Sequence, residues 1–122
     1  MYQRVGNVAF KKDLTNIRAL LAHLGQPQEQ FPTIHVGGTN GKGSVGHLLS
    51  AALQAHGMKT GLYTSPHFKD FRERIKVDGE YVSREFVTSF VAELKPALEE
   101  ICPSFFEITV AMAFSWFARQ EV

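Results

Sequence analysis

A single cysteine, Cys102, is all the thiol chemistry this sequence has. One thiol can form neither an intrachain disulfide nor a cysteine metal cluster, and such sparing use suits the reducing cytoplasm. Excess charge of one sign is missing too. The formal net charge is +1, so no global positive field points to nucleic acid or an anionic membrane. Any anion bound here has to be held by local geometry. Long hydrophobic runs are also lacking. The most apolar stretch, from Ile108 to Phe117, is broken by Thr109 and Ser115 and falls short of the roughly 18 apolar residues that would cross a bilayer. It reads as a buried helix. Met1 to Lys12 carry no apolar segment of the kind a secretory signal needs. Internal repeats and low-complexity segments are absent, and His23, His35, His47 and His56 share no metal-ligand spacing.

What is present describes an ordinary globular chain. It has 122 residues, 44% hydrophobic and 20% charged, enough for one domain with a real core but small for an enzyme with several substrates. The chain stops at Arg119-Gln120-Glu121-Val122, straight after an apolar helix, where a parallel α/β protein would place a further strand. The expectation is a fragment.

Asp13 caps a predicted helix in which Leu14, Ile17, Leu20, Leu21 and Leu24 recur at helical spacing, and Gly25 supplies the left-handed stop. Pro27 to Pro32 form a connector. Thr33-Ile34-His35-Val36, bounded by Pro32 and Gly37, reads as a buried strand that includes His35. A glycine-rich loop follows, then a helix through Val45, Leu48, Leu49, Ala52 and Leu53 that ends near Gly57, then a strand from Thr60 to Tyr63. Strand, loop, helix and strand predict a βαβ unit with parallel strands and a right-handed crossover. Ser65-Pro66 opens a charged loop through Arg74. Arg74 to Val77, the turn pair Asp78-Gly79 and Glu80 to Val82 predict a hairpin. Ser83 caps a further helix, with Phe86, Val87, Phe90, Val91 and Leu94 on one face, which Pro96 kinks or restarts. Ser104 begins the last helix. Phe86, Phe90, Phe114, Trp116 and Phe117 are most simply core.

The loop Gly38-Thr39-Asn40-Gly41-Lys42-Gly43-Ser44 carries the functional signal. A phosphate needs several donors at once. Consecutive backbone amides in a tight glycine turn supply them, because glycine accepts positive φ and has no Cβ to obstruct an anion. The helix that follows adds its unpaired amides and the positive end of its dipole. Lys42 would reach the β- and γ-phosphates, and Ser44 adds a hydroxyl. The match to the general pattern G-x-x-x-x-G-K-[ST] is imperfect: Val36 stands at the first glycine, and Gly43 where Ser or Thr should follow the lysine. The plainer alternative is a glycine-rich turn with an incidental lysine.

This loop resembles the ATP loop of the Mur ligase superfamily, and its Gly43-Ser44 ending resembles the folate branch, folylpolyglutamate synthase and dihydrofolate synthase. Leu62-Tyr63-Thr64-Ser65-Pro66-His67 with Phe71-Arg72-Glu73-Arg74-Ile75 is similar to that branch's loop after the second strand. Pro103-Ser104-Phe105-Phe106-Glu107-Ile108-Thr109 is similar to its folate-contacting segment. With the helices between them, these ordered blocks cover most of the chain.

The resemblance implies an α/β fold, a P-loop-type parallel sheet flanked by helices with a small β-hairpin. Residues 1–122 would be the N-terminal part of the ATP-binding domain. The rest of that domain, with an acidic and a histidine magnesium ligand, and a glutamate-binding domain would lie outside this sequence. It implies that Lys42 is catalytic, that Gly38 to Ser44 hold ATP, and that Ser65 is a ligand for Mg2+; without the resemblance Ser65 is an ordinary Ser-Pro turn. His67 either orients substrate or is a solvated loop histidine. Lys69 to Arg74 are either a solvated charged loop or a border of the folate pocket, with Phe68 or Phe71 against a pterin ring. Ser104 and Glu107 form a capping box in any reading. The resemblance adds that Ser104, Phe105, Phe106 and Glu107 contact the pterin, and Phe10 to Lys12 fall where the family has another such contact.

The implied activity is ATP-dependent amide ligation. ATP phosphorylates a carboxylate of folate or dihydropteroate, and the amino group of L-glutamate displaces phosphate from the acyl phosphate. Partners are then small molecules, with no nucleic acid and no membrane, in a cytoplasmic enzyme that is a monomer at full length. The 122 residues alone are expected to be inactive. Two alternatives stay open: another P-loop protein such as a small-molecule kinase, or a truncated, non-catalytic nucleotide-binding module.

Overall fold

The computed structural model describes residues 13–122. Phe10 to Lys12, expected as a pterin contact, lie outside the described residues. Helix α1 spans Thr15–His23 and is followed by a short 3-10 turn, Pro27–Gln30. Helix α2 covers Lys42–Ala55 and strand β1 Gly61–Tyr63. A second 3-10 turn, Phe71–Arg74, leads into strands β2 (Ile75–Val77) and β3 (Glu80–Tyr81). Helices α3 (Arg84–Ile101) and α4 (Phe105–Arg119) complete the chain.

Most ends of these elements follow from local chemistry. Asp13 accepts a hydrogen bond from the Thr15 amide at 3.1 Å, and Gly25 leaves α1 at φ 84°. Ser83 accepts from Phe86 N at 3.1 Å and starts α3. Cys102 at φ 55°, with Pro103 behind it, ends that helix. Asp78 and Gly79 take φ 50° and 83°, the pair of positive values a two-residue hairpin turn requires, so Lys76 faces Tyr81 and Val77 faces Glu80 as predicted. Asp78 also accepts from Thr60 N through its side chain and donates its own amide to Thr60 O, both at 2.9 Å, tying the turn to the start of β1.

Helix α4 forms the middle of the core. It packs on α1, the Pro27–Gln30 turn, α3 and β1. Leu20 and Leu21 of α1, Ile75 and Val77 of β2, Val82, Phe86, Phe90, Leu94 and Ala97 around α3, and Ala111, Met112, Ala113 and Phe117 of α4 are all buried. Phe86, Phe90, Leu94 and Ala97 recur at helical spacing, and completely buried residues such as Leu20, Ile75 and Val82 each contribute roughly 1.5–3 kcal/mol. Phe31 closes one end, edge-on to Phe114 and Phe117 at 6.0 and 5.9 Å.

Several expectations need correction. Among the described residues the sheet is antiparallel, ordered β1-β2-β3, with Gly61 opposite Val77 and Tyr63 opposite Ile75. The parallel P-loop-type sheet is not formed, because Thr33 to Val36 pair with no described strand. Ile34 is 64% exposed there, and His35 lies in irregular backbone. A strand exists only through hydrogen bonds to a neighbour, and β1 satisfies its own by turning back onto β2. Pro96 does not restart α3, which runs unbroken through it. The ring removes the helical donor to Ala92 O, and the buried row from Phe86 to Ala97 holds the helix regardless. Val91 is 45% exposed and belongs to the solvent face.

Candidate functional site

Strand β1 is the element from which the site is built. Its alternation sends Leu62 to one face and Gly61 and Tyr63 to the other. On the first face Gly46 of α2 is buried, and a Cβ there would lie 3.7 Å from Leu62 Cδ1. This contact brings the end of β1 beside the first turns of α2. On the second face Gly61 and Tyr63 meet α4.

The glycine loop opens α2. Gly38 takes φ 140° and Gly41, the N-cap residue, φ 77°, conformations that side chains with a Cβ rarely adopt. The cap has no side-chain hydrogen bond, so the first-turn amides keep their donors for another partner. Lys42 folds back over the loop, donating from Nζ to Gly38 O at 3.2 Å. His47 Nδ1 lies 2.8 Å from Gly43 O. Gly38, Thr39, Asn40, Gly41, Lys42, Gly43 and Ser44 are all exposed. The arrangement is a turn at a helix mouth with a lysine above it, the geometry an anion cradle needs.

Beyond Tyr63 the chain continues through Thr64, whose amide donates to Arg74 O at 3.0 Å, into Ser65 and a cis Ser65-Pro66 peptide. Ser65 is exposed. The loop from His67 to Arg74 is folded from within. Glu73 accepts from the amides of Phe68, Lys69 and Asp70 at 2.7, 3.3 and 3.2 Å, while Asp70 accepts from Arg72 N at 2.9 Å and pairs with its guanidinium at 3.0 Å. These donors favour the charged forms. The Phe68 amide above all holds Glu73 below its ordinary range, and the Arg72 amide and side chain do the same for Asp70. Reading this stretch as a solvated charged loop misses a capping box formed by Asp70 and Glu73, whose D-x-x-E spacing is a visible signal.

Arg72 turns to the hairpin, lying 5.4 Å from the Tyr81 ring centroid and reaching Val82 O at 3.4 Å. Arg74 turns the other way. Its Nε donates to His67 Nδ1 at 2.8 Å, and its guanidinium carbon lies 5.4 Å from the Phe105 ring centroid and 6.0 Å from that of Phe71. Phe71 is edge-on to both His67 and Phe105, at 6.0 and 6.1 Å. Phe106 faces Tyr63 at 6.5 Å. Phe68, by contrast, is 94% exposed. The last block therefore meets the loop after β1 in one aromatic cluster with a single guanidinium in it. His67, Phe71, Phe105 and Phe106 are expected here by name, whereas Arg74 is expected only as part of the loop from Lys69 to Arg74, and Tyr63 and Thr109 only as members of the resembling blocks.

The join between the two blocks is specific. Thr109 Oγ1 donates to Phe106 O at 2.9 Å, which uses its one proton, so the Tyr63 hydroxyl is the donor in the 2.9 Å bond to Thr109 Oγ1. Ser104 and Glu107 make the predicted capping box, with Ser104 Oγ accepting from Glu107 N at 3.1 Å and Glu107 Oε1 from Ser104 N at 2.8 Å. A groove of about 430 Å³ lined by His47, Ser50, Gln54, Leu62 and Lys76 lies on the α2 side of β1 and contains none of the expected site residues.

Among the described residues no group of three or more His, Cys, Asp or Glu gathers to hold a metal. Asp70 and Glu73 are committed to the loop. Ser65, two residues beyond the end of β1, leaves its hydroxyl exposed.

No family model matches the chain. A probable bifunctional folylpolyglutamate synthase/dihydropteroate synthase of Haloferax volcanii is 44% identical over 117 residues, covering 92% of this chain and 14% of that protein. The crystal structure of folylpolyglutamate synthase from Thermotoga maritima superposes with a TM-score of 0.87 at 42% identity, over 99% of this chain and 31% of that one. A solved complex of FPGS with AMPPCP and folate gives a TM-score of 0.83 at 38% identity, over 90% of this chain and 28% of that one. The chain thus spans less than a third of each of these relatives.

Proposed function

The chain is homologous to the folylpolyglutamate synthase/dihydrofolate synthase family, and we propose from this that it is the nucleotide- and folate-contacting segment of an ATP-dependent ligase. The ligase adds L-glutamate to a carboxylate of folate or dihydropteroate. One observation carries the reading. His67, Phe71, Arg74, Phe105 and Phe106, drawn from separate sequence blocks, converge where β1 ends, and β1 packs on the helix that the glycine loop opens.

In the proposed reaction a carboxylate oxygen attacks the γ-phosphorus, releasing ADP. The glutamate amine then attacks the acyl carbon, losing a proton as phosphate departs. The role of this chain is positioning and charge stabilisation. Amides from Gly38 to Ser44 and the start of α2 hold the phosphates, and Lys42 swings from Gly38 O to the transferred group. Ser65 would contribute one oxygen to a magnesium ion, which when bound would neutralise phosphate charge. Phe105 and Phe106, on a helix start held by Ser104 and Glu107, offer ring faces to the pterin, with His67 at its border. The parallel sheet of a P-loop ATPase forms only when Thr33 to Val36 gain neighbouring strands. The 122 residues alone bind nucleotide weakly and do not turn over.

The test is a chimera in which residues 13–122 replace the matching segment of the Thermotoga relative. ATP- and glutamate-dependent extension of folate or dihydropteroate is expected, and Lys42→Ala in the chimera should lower the rate at least about a hundredfold, or roughly 2.7 kcal/mol. Phosphate release that needs neither folate nor glutamate favours a different P-loop activity. A well-folded but inactive chimera overturns the ligase reading, whereas ATP- and glutamate-dependent ligation by the isolated 122 residues overturns only the expectation that they do not turn over alone.

A further inference from the structure

We propose that Arg74 is a positioning residue that locks His67 in the neutral tautomer with its proton on Nε2, so that His67 acts as a hydrogen-bond donor. The lock itself follows from the hydrogen bond. Arg74 Nε donates to His67 Nδ1 at 2.8 Å. A guanidinium has five N–H groups and no acceptor, and it stays protonated, so Nδ1 must present a lone pair. The imidazole proton is then on Nε2, at the other edge of the ring. A second proton on Nδ1 would point one N–H at another and press two cations together.

The surroundings keep the pair in place. The Arg74 guanidinium packs against Phe105 and Phe71, and the His67 ring stands edge-on to Phe71. The carboxylates that would otherwise attract an arginine are engaged: Asp70 with Arg72, and Glu73 with the amides of Phe68, Lys69 and Asp70. Both members of the pair are half-buried, and His67 Nε2 has no partner among the described residues. A donor of this kind suits an acceptor on a flat heterocycle, a carbonyl oxygen or an unprotonated ring nitrogen. The ligand part of the inference rests on the folate reading of this cluster, whereas the tautomer lock stands without it.

The lock is read directly by NMR on the isotope-labelled 122-residue chain, at a pH well above the ordinary histidine range. A coupling across the hydrogen bond between Arg74 Nε and His67 Nδ1 is expected, with the proton on Nε2, and Arg74→Met should abolish it. Wild-type chain with the proton on Nδ1, or without the coupling, overturns the lock. The donor role is read by folate titration in the same spectra. Glutamine places its amide N–H near the position of Nε2 and asparagine near Nδ1, so His67→Gln should stay within about twofold of wild type while His67→Asn binds roughly fivefold to tenfold more weakly. Equal losses, or rescue by asparagine, overturn the donor role. Wild-type chain that shows the coupling but ignores folate refutes the folate reading and leaves the lock standing.

Discussion

Gly61→Ala tests the contact that brings the site together. A Cβ at this position would lie 2.6, 2.7 and 2.9 Å from Cδ1, Cε1 and Cγ of Phe117. Ordinary carbon contacts are about 3.5–4.0 Å, so strand or ring has to move by about 1 Å. Neither moves easily. Phe117 is 5% exposed and edge-on to Phe31, and β1 is paired with β2 and tied to Asp78 through Thr60. Overpacking of this kind costs about 1–3 kcal/mol, which for a chain of this size lowers Tm by roughly 4–12 °C. Urea and thermal unfolding followed by circular dichroism measure the loss. Phe117→Leu shortens the opposing side chain, so a double-mutant cycle should show Gly61→Ala costing at least about 1 kcal/mol less in that background. The displaced strand should also loosen the Tyr63–Thr109 bond and weaken ligand binding at the aromatic cluster. A single mutant within about 0.3 kcal/mol of wild type, or a strictly additive cycle, would refute the reasoning.

Ser104→Ala removes the acceptor of the Glu107 amide and should cost about 1 kcal/mol of stability in denaturant titrations; no change would remove the cap's structural role. Acid should loosen the loop from His67 to Arg74. The folded-state pKa values of Glu73 and Asp70 are both depressed, so their contribution is complete above the ordinary carboxylate range and fades as pH falls through the lowered values. Protection of the amides of Phe68, Lys69 and Asp70, taken as exchange relative to the intrinsic rate at each pH, should fall over that acid window in wild type. In Glu73→Gln that protection should already be low near neutrality and depend less on pH, and identical protection profiles would rule out the carboxylate as the clamp.

Features set by neighbours in the chain were legible in the sequence. Gly25, the Asp78-Gly79 turn, and the Ser83 and Ser104 caps each depend on a few adjacent residues, and each stands where the pattern put it. The loop from Gly38 to Ser44 is of the same kind, since positive φ at Gly38 and Gly41 is a local property. The Asp70–Glu73 capping box was equally local, but a run of mixed charge hid it behind the expectation of a solvated loop. Strand pairing was not legible. Thr33 to Val36 have the composition of a strand, yet pairing is a relation between distant segments, and β1 instead takes β2 as its neighbour in the opposite direction.

Sequence alone determined the local shapes and the chemical inventory: a glycine turn before a helix, a lysine on it, and aromatic residues near a capped helix start. Only the tertiary structure decided which of these meet. Tyr63 reaches Thr109 across 46 residues of chain because the bare Gly61 lets β1 approach Phe117 on α4, and Arg74 rather than Arg72 is the arginine found in the aromatic cluster. Backbone propensities act over a few residues, whereas a missing Cβ opposite a buried ring sets the distance between whole elements.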